Sequence, residues 1–180
     1  WEEPDGETSF SSNPEQHLLD DFLDSGGLAT NAFGRVGVEA AAVFGPVHGS
    51  AEWFGARPDD PDGGVALVQG WALSAGAFLT GESRSYDDAK ASYARTEPLL
   101  PFDPGDSGSG PGAWELVARL GHLDLDSTAA FGDPAAMDVW SAGCVWHWTP
   151  HLRWLFTCSR IELDGFDAVH ALTVRFSFDW

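Results

Sequence analysis

Apolar and polar side chains alternate strictly over Ala171–Trp180, within the C-terminal stretch Ala168–Trp180. Leu172, Val174, Phe176, Phe178 and Trp180 fall on one phase, and Ala171, Thr173, Arg175, Ser177 and Asp179 on the other. A period of two sends these sets to opposite faces of a β-strand. An apolar face that ends in aromatics, with an ionisable residue between them on the other face, is the pattern of outer-membrane barrel strands, which turn apolar residues to lipid and polar ones to the lumen.

The same period recurs upstream. In 35–44, Val36, Val38, Ala40, Ala42 and Phe44 share a face opposite Gly37, Glu39, Ala41 and Val43. In 47–56, Val47, Gly49, Ala51 and Trp53 oppose His48, Ser50 and Glu52, and Gly45-Pro46 supplies the turn between the two segments. The acidic turn 57–64 leads to a longer strand over 65–80. Strand 112–125 sets Trp114, Leu116, Ala118 and Leu120 against Glu115, Val117, Arg119 and Gly121. Three more strands follow a loop over 126–137: Asp138–Trp148, His151–Leu163 and Phe166–Trp180. With a short strand over 7–12, the pattern predicts about eight strands, no helix and no internal repeat. Two segments lack a period. The polar stretch 13–34 reads as a long loop, and 81–111 ends in a Pro-, Gly- and Ser-rich run; loops this long are functional or disordered.

The hairpin at Thr149-Pro150 predicts a register. A three-residue turn pairs Trp148 with Leu152, Trp146 with Trp154 and Cys144 with Phe156 on one face, and His147 with Arg153 and Gly143 with Thr157 on the other. The first face becomes a wall of indoles near one edge, like an interfacial girdle. Cys158 then opposes Ala142, so Cys144 and Cys158 lie diagonally, roughly 7–8 Å apart. That is the wrong geometry for a disulfide, and both read as small lipid-facing or core residues. Beyond Ser159 the phase slips, placing Arg160 and Glu162 on the apolar face. Either a bulge near Ser159–Arg160 restores it, consistent with a two-residue turn at Asp164-Gly165, or this end protrudes beyond the bilayer.

Composition narrows the function classes. Of 180 residues, 43% are apolar, enough for a core rather than disorder. The 28 acids and 9 bases give a formal charge of -19, which excludes nucleic acid and anionic surfaces as partners of choice. Nine Trp, 12 Phe and 21 Gly argue for an all-β chain. No apolar run reaches the roughly 18 residues of a transmembrane helix. The chain starts at Trp1 without Met or a signal peptide, so it is expected to be a processed product or a piece of something longer. The two cysteines match neither a zinc pattern nor a disulfide framework, and no cofactor is called for.

Several segments occur in an order that resembles a known family. They are Ser11-Ser-Asn-Pro-Glu-Gln-His17, Phe22-Leu-Asp-Ser-Gly26, Glu39 followed by Phe44-Gly-Pro46, and Phe78-Leu-Thr-Gly-Glu-Ser-Arg84. Gly112-Ala-Trp-Glu-Leu-Val-Ala-Arg119, Leu123-Asp-Leu-Asp126 and the hairpin with Gly143, Trp146 and Pro150 continue the series. The chain resembles the C-terminal half of the phosphate-selective porin O and P family. That resemblance implies an outer-membrane, homotrimeric antiparallel β-barrel of about 16 strands, with long loops folded inward to narrow the pore, of which this chain is the second half. It also implies clustered arginines and lysines along the pore. Here the charge is strongly negative and Lys90 is the only lysine, so phosphate stands beside other anions and hydrophilic solutes as the expected cargo.

The face turned to the lumen supplies the candidate pore-lining residues: Glu39, Glu52, Glu115, Arg119, His147, Arg153 and Arg175. Opposed charges along a pore bias ion flow, although the same groups also serve as salt-bridged wall residues. Arg84, Lys90 and Arg95 are spaced as constriction-loop cations if 81–111 folds inward, and are solvated periplasmic residues if it does not. With Trp180 at the periplasmic rim, Thr149-Pro150 and 81–111 share that side, and the acidic loops 57–64 and 126–138 face outward. Asp59, Asp60 and Asp62 lack a calcium-loop spacing and read as solvated charge. Gly105-Asp-Ser-Gly108 matches a serine-protease nucleophile motif but has no triad context, and His17 reads as loop-ordering.

These readings give a passive, non-enzymatic channel contacting membrane lipids and small anions. A non-conducting structural or surface-binding barrel is the second possibility, and a soluble β-sandwich the third.

Overall fold

The computed structural model describes residues 7–8, 11–12, 22–24, 28–29, 32–59, 67–87, 89, 92–125 and 136–179. Its centre is one antiparallel sheet of seven strands: β1 (Ala32–Phe44), β2 (Val47–Asp59), β3 (Val68–Phe78), β4 (Ala113–Asp124), β5 (Ala136–Thr149), β6 (Leu152–Leu163) and β7 (Val169–Phe178). Each strand pairs with its neighbours in sequence, so the sheet is a plain meander from β1 at one edge to β7 at the other. The sheet is open, and there is no helix among the described residues. The β1–β2 and β5–β6 hairpins, the long 79–112 connection and the end of β7 all lie at one end, called here the near end.

Alternation and register together make two chemically distinct faces. On the apolar face, Trp114, Trp146, Trp154 and Phe176 are direct cross-strand partners and form a row of rings at the near end. Trp114 and Trp146 stack with centroids 5.0 Å apart, and Trp154 lies 4.9 Å from Phe176. Toward the far end come rows of smaller and aliphatic residues, then Trp53, Trp71 and Trp140. From Trp146 to Trp140 the strand advances about 20 Å, close to the roughly 25 Å apolar band of a membrane barrel. Much of this face is open: Phe44 is 78% exposed, Leu172 75% and Val38 64%. That is a contiguous surface of a kind water-soluble monomers seldom present.

The opposite face is polar along its middle. Ser50, Ser74, Arg119, Ser141 and Ser159 make one cross-strand row. At its far end an apolar cluster of Ala56, Val68, Leu125, Met137, Val139 and Ile161 packs around Leu23, which is fully buried.

Several expectations need correction. The predicted strand at 7–12 does not join the sheet. Instead Glu7–Thr8 pairs with Leu28–Ala29, and Ser11–Ser12 with Leu23–Asp24. This short polar run has no apolar face to contribute to a long ladder, so the central sheet has seven strands rather than eight. At the Thr149-Pro150 hairpin, the predicted partners from Trp146↔Trp154 to Ala142↔Cys158 are found, as is His147↔Arg153. Leu152, however, faces Thr149 rather than Trp148, because the register shifts between His147 and Thr149. A bulge sits there, one residue from the turn, and accommodates the extra residue. Conversely, no bulge occurs near Ser159–Arg160, and the ladder runs unbroken to Met137↔Leu163. Arg160 and Glu162 therefore do lie on the apolar face, beside His122, Asp138 and His170 at its far rim. Arg160 pairs with Glu162 and sits 6.0 Å over the Trp140 ring, and His122 Nδ1 is 2.8 Å from Asp138. Charges here partner one another where the apolar band ends. The turn at Asp164-Gly165 forms, with Phe166 N–H donating to Leu163 O at 3.1 Å and Gly165 at φ +79°, but cross-strand pairing resumes only at Ile161↔Val169. Trp180 and His17 lie outside the described residues.

Candidate functional site on the polar face

Glu115 organises the polar face. It points from the start of β4 into the space between the sheet and the connection 79–112, and is fully buried. A buried carboxylate needs donors on its oxygens, and here three side chains from three other segments supply them. Arg84 Nη2 donates to Oε1 at 2.9 Å and to Oε2 at 3.1 Å. His48 Nε2, from β2, is 2.8 Å from Oε1, and His147 Nε2, from β5, is 2.9 Å from Oε2. An ionised carboxylate only accepts, so both imidazoles carry their proton on Nε2.

The strand order makes this arrangement possible. His147 is on the adjacent strand, but His48 is two strands away and must cross β3. It does so over Gly76, where an added Cβ would meet the His48 ring at 2.3 Å. A glycine at the crossing is thus what lets imidazole reach carboxylate.

Arg84 reaches Glu115 because the first half of the long connection folds back over the polar face. Gly81 turns the chain with φ +96°. Glu82 is buried at the base of this fold, hydrogen-bonded to Thr80 Oγ1 and accepting from Leu99 N–H at 3.1 Å, while Thr80 Oγ1 accepts from Trp114 N–H at 3.0 Å. A small ladder of Tyr86–Asp87 with Ser92–Tyr93 follows. Tyr93 donates to Gly49 O at 2.8 Å, packs edge-on against His48, and lies 5.5 Å beneath the Arg84 guanidinium. The second half turns back along the near-end rim, where Phe102 sits against Trp146 and Trp148 and Pro111 O accepts from Trp146 Nε1.

Deeper along the face, Arg119 donates to Glu52 at 2.8 Å and to Ser74 Oγ at 3.0 Å. Glu39 lies directly opposite Glu52 on β1 and is exposed. Like charges facing each other are unfavourable, and the Arg119–Glu52 pair offsets this. Arg153, near the β6 start, is 3.6 Å from Asp179. Arg175, on β7, shares a cross-strand row with Glu115, Val145 and Leu155, is exposed, and makes no ion pair or hydrogen bond among the described residues. Between the folded connection and Arg119 lies a groove of about 610 Å³, whose lining includes Arg84, Glu115, Val117, Arg119, Leu155 and Arg175.

All seven residues singled out from the alternation therefore share the polar face. The structure gathers Glu115 with His147, and Glu52 with Arg119, while Arg153 and Glu39 stand apart toward the near end and the β1 edge. Of the three cations in 81–111, Arg84 reaches this face. Arg95 instead lies 3.1 Å from His151 Nδ1 at the β5–β6 turn, and Lys90 is outside the described residues. The same His151 nitrogen is 2.9 Å from Asp179 O, and it cannot accept from Arg95 and donate to that carbonyl at once.

Sequence reasoning missed His48, Tyr93 and Glu82 as parts of the site. The usable signal for His48 was its shared phase with Glu52, with Gly76 opposite; nothing in 81–111 announced Tyr93. In the Gly105-Asp-Ser-Gly108 run, Gly105 and Gly108 N–H donate to Asp103 and Asp106, each at 2.8 Å, a pair of side-chain-braced turns. Among the described residues no group of His, Cys, Asp or Glu is arranged to hold a metal, and Asp60 and Asp62 lie outside them. Cys144 and Cys158 are free thiols.

Comparison with known proteins gives the lineage. The chain is 32% identical over 129 residues to an uncharacterized protein of Caulobacter vibrioides, an alignment covering 72% of this chain and 24% of that protein. The chain thus spans far less than two thirds of that relative's length. A family description, phosphate-selective porin O and P, matches residues 5–180. An all-β antiparallel meander is consistent with that family, and the chain belongs to the phosphate-selective porin O and P family.

Proposed function

We propose that this chain forms part of the wall and constriction of an outer-membrane β-barrel, its C-terminal half, through which small hydrophilic solutes, anions among them, diffuse passively. Its family is one of channels rather than enzymes. The observation that carries the reading is the exposed apolar face backed by a polar face onto which a connecting segment folds. Turned to lipid, the residues that are costly in water become favourable at about 25 cal/mol per Å². The open edges support the same reading. β1 and β7 each present a row of backbone groups on the side away from the sheet, and long unpaired edges are a liability that barrels remove by closure. Further strands then complete the ring, in a protein that assembles as a trimer in the outer membrane. The near end is periplasmic, and Arg84, with the loop it tethers, narrows the lumen lined by Glu39, Glu52, Glu115, Arg119, His147, Arg153 and Arg175.

Reconstitution of the full protein in planar bilayers tests this. Stepwise conductance is expected, with a reversal potential in a salt gradient that reports ion preference. Protein that stays monodisperse without detergent and never conducts ends the reading. A second reading, a non-conducting structural or surface-binding barrel, draws on the coverage of the polar face from both ends, by the 81–97 fold and by the Leu23 cluster. Membrane insertion without conductance would favour it.

A further inference from the structure

We propose that the groove between the folded connection and Arg119 is a subsite for small monocarboxylates with an apolar body, and that Arg175 is the group that holds their charge. The inference rests on the channel reading and names its solute class. Three arginines line the groove, but two are already committed. The charge of Arg84 is paired with Glu115 through Nη2, although its buried Nε finds no partner among the described residues, and that of Arg119 is paired with Glu52. Among the described residues Arg175 makes no ion pair or hydrogen bond, so of the three it is the guanidinium whose charge is left for an incoming anion.

One guanidinium matches one carboxylate, through two parallel N–H···O bonds. An anion with more than one charge, such as phosphate, loses far more hydration on entry, and the cost grows steeply with charge. It would also approach Glu115 and Glu52, whose charges are balanced only pairwise. The walls point the same way. Leu155 separates Arg175 from Val145 in the same row, and Val117 lines the groove in the next row, two strands from Thr157. Thr157 and Thr173 add hydroxyls beside these apolar patches. Each methylene that a ligand buries against such walls raises affinity about fourfold, a gain that phosphate cannot collect.

The test uses the full protein in detergent micelles, with empty micelles as the blank, and saturation-transfer NMR of butyrate titrated against acetate and phosphate. Butyrate is expected to bind more tightly than acetate, and phosphate to displace it only at concentrations several-fold higher. Arg175→Gln, at an exposed site, should weaken butyrate about tenfold, the loss of one charge-assisted contact. Leu155→Ser should weaken butyrate but leave acetate unchanged. Phosphate displacing butyrate at equal or lower concentration, or Arg175→Gln binding butyrate as the native chain does, overturns the proposal. Conductance in chloride is read separately: silence with butyrate still bound refutes the channel reading and spares the subsite, while conductance without butyrate binding does the reverse.

Discussion

Replacing Glu115 by alanine should release the 81–97 fold from the sheet while leaving the strands paired. The carboxylate is fully buried and accepts from Arg84 twice and from His48 and His147 once each, at 2.8 to 3.1 Å. Removing one partner of a buried ion pair costs about 3–5 kcal/mol, because the other charge is stranded. The Arg84 side chain keeps 20% of its surface in contact with solvent, and that lowers the expected cost to about 2–4 kcal/mol. Glu115→Gln keeps the volume but offers one acceptor to three donor groups, so it should recover only part of the loss. The effect belongs to local opening rather than global unfolding, since seven-strand pairing does not depend on Arg84. Limited trypsinolysis reads it directly, because Arg84 and Arg95 lie in the fold and Lys90 falls between them in the sequence. When reclosing outruns cleavage, a shift in opening of about 2–4 kcal/mol raises the cutting rate by about 30-fold to several hundred-fold. A double-mutant cycle with Arg84→Ala isolates the pair itself. If Glu115→Ala is cut within threefold of the native rate, the cluster does not hold the fold, and the Tyr93–Gly49 hydrogen bond and ring packing must do so instead.

Two further outcomes follow from the same geometry. Gly76→Ala places a Cβ against the His48 ring and should break the His48–Glu115 contact, a loss of about 1–3 kcal/mol. Thermal unfolding in detergent measures it, and combining it with His48→Ala should add little, since the obstructed ring is then gone. Cys158, exposed on the apolar face opposite Ala142, should react in membranes with a lipid-soluble maleimide and resist a charged, water-soluble one; equal labelling by both would place that face in water.

Much of this molecule is legible because β-structure writes itself locally. Alternation placed Arg119, Glu115 and Glu52 on one face and Trp114, Leu116 and Leu120 on the other without knowledge of any partner strand, because side chains point to opposite sides at every step. The Thr149-Pro150 turn then fixed the pairings from Trp146↔Trp154 outward, since a hairpin's register follows its loop. It failed by one residue beside the turn itself, where a bulge falls at Trp148, whose ring packs against Phe102 and Trp146, contacts that alternation does not encode. The apparent phase slip at Arg160 was no slip. The strand continues in register past the apolar band, and its charges find partners in Glu162 and the Trp140 ring.

The site itself is a tertiary product. Arg84 and Glu115 are 31 residues apart, and His48 and Glu115 are 67 apart. Nothing periodic connects a loop without a pattern to a strand on the far side of a glycine. Sequence alone determined which side chains face which way and that the chain is all-β, because those follow from backbone geometry repeated every two residues. Only the folded sheet decided which charges are neutralised and which of the groove's arginines has no ion pair among the described residues. That depends on reach, on room above Gly76, and on the order in which seven strands lie side by side.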